Sequence, residues 1–345
     1  MSQKPAIRGP CPYCGEAQPY MRREHVIPQA FGVFERNLIA WDVCDACNEF
    51  FGRTLDQVLA RESYEGYLRF HTGLKPAADF KPPRDGSRVR TYGKVGPWRG
   101  LELQARVDPA TGEMVQQPIP QIGFAKSPAD AATYYPADQL PQPAEVKALL
   151  GQGEFYMRAV GFDSAESVTA ALNEAGFADL SYVGRDPEVV TPGTIIRVER
   201  KITADRIVLR AIAKIAANYL VATYPAVCRL AQFRAIKDYV RYDRDPGYPV
   251  IALNNESAVA NQPTDKRILG HVLTLRHHFE TGAVRASVSL FNQMRYDVTM
   301  SSSDFLVSMP HEFMTTGHLF DTANRIVLDL THKSLLADRL TLRTK

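Results

Sequence analysis

The sequence has no stretch approaching the ~20 continuous apolar residues that a bilayer-spanning helix requires, which argues against an integral membrane protein of the helical kind. Its first residues, Met1-Ser-Gln-Lys-Pro-Ala-Ile-Arg, contain no apolar run, so no secretory leader is expected and a cytoplasmic setting is. Charge of one sign is not in excess. The formal net charge is +3, so the chain is not a polycation, and any nucleic-acid contact must come from a local basic surface. Internal repeats and low-complexity tracts are absent, which excludes solenoids and most disordered scaffolds. Cysteine is scarce, at 5 residues, and four of them fall in the first 47 positions.

Those four form two Cys-x-x-Cys pairs, Cys11-Pro-Tyr-Cys14 and Cys44-Asp-Ala-Cys47. Two such knuckles can close one tetrahedral structural Zn²⁺ site. Between them lies Arg23-Glu24-His25-Val26-Ile27-Pro28, a histidine beside a carboxylate, and Asn48 follows the last cysteine. Phosphodiester hydrolysis needs a base for water and a divalent ion for the developing charge. His25 is the candidate base. Glu24 and Asn48 offer hard oxygens suited to Mg²⁺ or Mn²⁺.

The two stretches that carry these residues, Arg23 to Gly32 and Val43 to Asp56, resemble the HNH endonucleases with four zinc-binding cysteines. The resemblance covers roughly residues 8–62. It implies a ββα-metal finger in which Cys11, Cys14, Cys44 and Cys47 hold zinc, Glu24 and Asn48 ligate the catalytic metal, and His25 is the general base. Asn37, eleven residues before Asn48, stands for the family's middle asparagine at a longer spacing than usual, with the structural role of holding the histidine's loop. The implied activity is DNA phosphodiester hydrolysis, with restriction or anti-phage defence as its setting. A catalytically inactive zinc-stabilised module that binds nucleic acid or protein, and an RNA-directed nuclease, are the alternatives. The oligomeric state is open, a dimer included.

The expected fold class is α+β in three parts. Residues 1–62 form the finger, 63–150 a strand-rich connection, and 151–345 a helix plus antiparallel strands. Asp45 to Glu62 reads as one helix with Cys47, Phe51, Leu55, Val58 and Leu59 on its apolar face, and Asp205 to Thr223 as a mostly buried helix. Strands are expected at 88–95, 100–107, 113–117, 194–199, 270–280, 283–291, 296–301 and 305–309, with a tight turn at 280–283. Residues 129–142 read as loop. Two basic features suggest nucleic-acid contact. Arg206, Arg210 and Lys214 share one stripe of the long helix, either as phosphate grips or as its solvated edge. Arg234, Lys237 and Arg241 lie in a stretch interleaved with aromatics, a pattern that suits DNA and equally suits an amphipathic helix.

Overall fold

The computed structural model describes residues 9–17, 19–81, 88–108, 110–151, 155–177, 197–248, 250–260, 270–277, 282–301, 316–330 and 340–341. The chain divides into two compact units, residues 1–75 with 204–345, and residues 76–203. This departs from the three consecutive parts expected from sequence. The finger shares a unit with the C-terminal region, because its buried groups find their partners there.

The finger opens with strands β1 (Glu24–His25) and β2 (Ile39–Ala40), paired antiparallel with Glu24 opposite Ala40. Helix α1 (Asp45–Phe50) then runs through a π-helical stretch (Phe51–Asp56) into α2 (Gln57–Glu62). The sequence accounts for the wide turns. The buried residues Cys47, Phe51, Leu55 and Leu59 recur every four positions. An α-helix of 3.6 residues per turn would rotate each about 40° past the last. A π stretch winds more slowly and cancels that drift. Asn48, Gly52 and Asp56 repeat at the same step. Helix α3 (Tyr64–His71) follows, capped by the Ser63 hydroxyl, which accepts from Gly66 N–H at 3.1 Å.

Residues 76–203 contain two antiparallel sheets. Strands β3 (Val89–Gly93), β4 (Glu102–Val107), β5 (Met114–Pro118), β6 (Gln121–Ala125) and β7 (Thr133–Pro136) precede helix α4 (Pro143–Leu150), strand β8 (Tyr156–Val160), helix α5 (Ala165–Glu174) and strand β9 (Val198–Ile202). The sheet orders are β5-β4-β3-β9 and β7-β6-β8. Ile122, Phe124, Val146, Ala159, Val168 and Leu172 form the core that covers the second sheet. Residues 129–142, read as loop, hold β7, because Tyr134 and Tyr135 pair with Gly123 and Ile122.

The remainder of the first unit starts at helix α6 (Arg206–Thr223), capped by Asp205 and buried along most of its length. Helix α7 (Arg234–Tyr242) follows. Strands β10 (Ile251–Asn254), β11 (Val259–Ala260), β12 (Gly270–His277), β13 (Val284–Ser289), β14 (Arg295–Thr299), β15 (Thr316–Asp321), β16 (Ile326–Asp329) and β17 (Leu340–Thr341) complete it. Six of them form an antiparallel sheet in the order β10-β14-β13-β12-β15-β16. The expected strand at 305–309, the turn residues 280–281 and residues 194–196 lie outside the described residues. Within the described residues no helix is long and apolar enough to cross a membrane.

Two buried contacts bind this sheet to the N-terminal segment. His271 on β12 is fully buried. Its Nε2 lies 2.7 Å from the Phe31 carbonyl, and its Nδ1 accepts from Phe291 N–H at 3.1 Å. Those bonds require the neutral imidazole protonated at Nε2. Tyr296 on β14 donates to Glu65 on α3 at 2.5 Å.

Candidate metal and active site

The four N-terminal cysteines converge. All four Sγ atoms lie within 4.8 Å of one another, and none is in a disulfide. Cys14 and Cys44 are 3.7 Å apart. Four thiolates at Zn–S distances near ~2.3 Å would sit about 3.8 Å apart, so the set fits a closed Zn²⁺ site. The local fold makes each knuckle. Cys11 N–H bonds the Glu16 carbonyl, Gly15 N–H bonds the Cys11 carbonyl, and Gly15 takes φ 78°, which suits glycine. Cys44 caps α1, its sulfur accepting from Cys47 N–H at 3.5 Å. A hydrogen bond from Cys47 pulls Cys11 down to about 5 against the effect of burial, and the same contact pushes Cys47 up.

His25 and Glu24 are neighbours on a strand and point to opposite faces. His25 is half-buried, its Nε2 3.2 Å from the Gln29 side-chain nitrogen. Burial first, then the positive charges of Lys214 and Arg23, lower its pKa and favour the neutral imidazole that a base requires. Asn48 is half-buried in the first turn of α1, its N–H on the Cys44 carbonyl at 2.9 Å. Asn37 accepts from Phe34 N–H at 3.1 Å and so closes the loop between the two strands.

Glu24 faces inward, 4% exposed, onto α6. Lys214 Nζ lies 2.5 Å from its Oε1 and 3.0 Å from Asp56 Oδ2. Asn218, one turn along α6, donates to the same Oε1 at 2.7 Å and accepts from the Tyr13 hydroxyl at 2.7 Å. Tyr13 stands between the first two cysteines, so one chain of hydrogen bonds joins the zinc knuckle to Glu24. Burial pushes Glu24 up to about 7 against the pull of Lys214, while the two carboxylates hold the Lys214 ammonium above its usual range. One lysine between two carboxylates leaves the cluster one negative charge in excess when all three are ionised. A divalent cation suits that charge.

Sequence reasoning missed Lys214, Asn218, Asp56 and Tyr13 as parts of this site. The one signal was Asn218, a polar residue among the apolar positions of α6's second half. Of the Arg206–Arg210–Lys214 stripe, Arg206 lies on the solvated edge as the second reading had it, while both readings are corrected at Arg210 and Lys214. Lys214 is fully buried, Arg210 donates to the Tyr239 and Val240 carbonyls, and Arg206 pairs with Asp243 at 2.6 Å.

The second basic stretch is also partly turned inward. Lys237 is buried and donates to the Cys228 carbonyl at 2.7 Å, which removes it from any phosphate. Arg241 stacks 4.2 Å over the Phe50 ring and hydrogen-bonds Cys47, favouring its thiolate. Arg234 remains exposed but pairs with Asp238 at 2.9 Å.

A cysteine-clamped ββα unit with an acidic-His strand and a helical asparagine defines the class. Residues 11–63 match the HNH endonuclease family, and this segment is similar to the zinc-stabilised HNH module of that family. No curated protein and no solved structure matches the chain.

Proposed function

We propose that the chain is a metal-dependent endonuclease that hydrolyses DNA phosphodiester bonds. The observation that carries this reading is a half-buried His25, biased to the neutral form, next to Glu24 inside the HNH module. His25 takes the proton from the attacking water. Glu24 and Asn48 would hold Mg²⁺ or Mn²⁺, and that ion, when bound, neutralises charge on the phosphate and leaving oxygen. Lys214 and Asn218 fix Glu24 from behind, and Asn37 holds the loop that follows His25's strand. Cys11, Cys14, Cys44 and Cys47 hold structural Zn²⁺, and such thiolates suit a reducing, cytoplasmic setting.

One observation favours a second reading, a zinc-stabilised binding module without catalysis: Glu24 already carries two partners on one oxygen. Incubating the purified protein with supercoiled plasmid and with RNA, with and without EDTA and added Mg²⁺ or Mn²⁺, separates them. Metal-restored cleavage of plasmid is the expected result. Cleavage of RNA alone would redirect the substrate, and binding without cleavage would favour the second reading.

A further inference from the structure

A groove of about 240 Å³ opens beside the candidate base. Gln29, Val33 and Phe34 of the finger line it, together with Lys75 and with Arg325 from the turn between β15 and β16. Gln29 also contacts His25, so the groove and the base are one side chain apart.

The turn is built firmly. Asp321 Oδ1 accepts from Ala323 N–H at 2.9 Å and Asn324 N–H at 3.0 Å, and Asn324 Nδ2 donates to Asp321 Oδ2 at 2.8 Å. The Arg325 carbonyl accepts from Glu35 N–H at 2.9 Å, which seats the turn on the finger. Arg325 itself has φ 58°. Glycine or asparagine takes that left-handed conformation at least cost. An arginine there breaks the local rule, and such exceptions gather where the side chain has a task. The side chain is exposed and has no ion-pair partner among the described residues. Val33, 56% exposed, supplies apolar surface in the same groove. A cation beside apolar surface matches a nucleic-acid strand, which presents phosphates and base or sugar faces together.

We propose that this groove holds the substrate strand next to the scissile phosphodiester, with Arg325 contacting a flanking phosphate. The inference rests on the nuclease reading above. The test compares wild type, Arg325→Gly and Arg325→Lys on one DNA duplex and on RNA of the same sequence, measuring KM at several salt concentrations and thermal stability. Glycine relieves the backbone and removes the cation. Arg325→Gly should therefore melt no lower than wild type, raise KM roughly tenfold, as loss of one charge-assisted contact does, and flatten the salt dependence of KM by about one unit of slope. Arg325→Lys should keep most of the affinity. An Arg325→Gly protein with the wild-type KM and salt slope overturns the proposal while the nuclease reading stands. A lower melting temperature for Arg325→Gly also overturns it, by showing that the side chain serves the fold. Failure of wild type to cleave either nucleic acid overturns both.

Discussion

Lys214 is the residue on which the finger's acidic position depends. It is fully buried and answers two carboxylates, Glu24 and Asp56. Removing one partner of a buried ionic cluster leaves uncompensated charge and costs about 3–5 kcal/mol. Lys214→Met should lose stability of that order in denaturant titration. Adding Glu24→Gln and Asp56→Asn should recover much of it, because neutral groups need no counter-charge. If Lys214→Met alone is as stable as wild type, the cluster does not hold the fold.

His271 sets a pH dependence of the same sign as a carboxylate whose pKa is depressed by pairing, but in a higher pH window. Burial lowers its pKa from 6.5 to about 4. The folded protein therefore keeps it neutral where the unfolded chain protonates it. Its contribution is complete above pH 6.5 and is lost as pH falls towards 4, with a slope of at most about 1.4 kcal/mol per pH unit. His271→Gln should be less stable than wild type at pH 7.5 and should lose less on acidification to pH 4.5. Parallel stability–pH curves for the two proteins would show that His271 does not titrate in this range.

At the scale of elements, the zinc knuckles and α1 form together, since Cys44 is both a candidate ligand and the cap of the helix that carries Cys47 and Asn48. One zinc per chain should co-purify, measured by mass spectrometry. Cys44→Ser should lose both zinc and the finger's resistance to proteolysis, because metal binding and folding are one free energy in such sites. Retention of zinc by Cys44→Ser would remove that cysteine from the ligand set. Much at this scale was legible in the sequence. The Cys-x-x-Cys spacing announced the cluster, and apolar periodicity gave Asp45 to Glu62 and α6. The π stretch was not legible, because Cys47, Phe51, Leu55, Val58 and Leu59 read as ordinary helical spacing. The direction of individual cations was not legible. Lys237 and Lys214 look like surface lysines, and only packing against Cys228, Glu24 and Asp56 shows that they are not.

For the unit that contains the finger, the consequence is dependence across sequence distance. Glu24 and Tyr13 are satisfied by Asn218, and the Phe31 carbonyl by His271, all far along the chain. Sequence order suggested a finger complete by residue 62, because partners some 190 or more positions away leave no local pattern. A fragment ending at residue 75 should therefore exchange its buried amides fast even when loaded with zinc, since it exposes Glu24 and the Phe31 carbonyl to water. Full-chain protection of those amides in the fragment would show that the finger is autonomous.

The central claim is that His25 performs the chemistry. The most direct measurement is the rate of plasmid nicking by wild type and His25→Ala at saturating Mg²⁺ or Mn²⁺, with zinc content and melting temperature recorded for both. The account predicts a loss of ~10²–10⁴-fold, the usual contribution of a general base, in a variant that keeps its zinc and its stability. Nicking by His25→Ala within a few-fold of wild type would contradict it and move the catalytic site elsewhere.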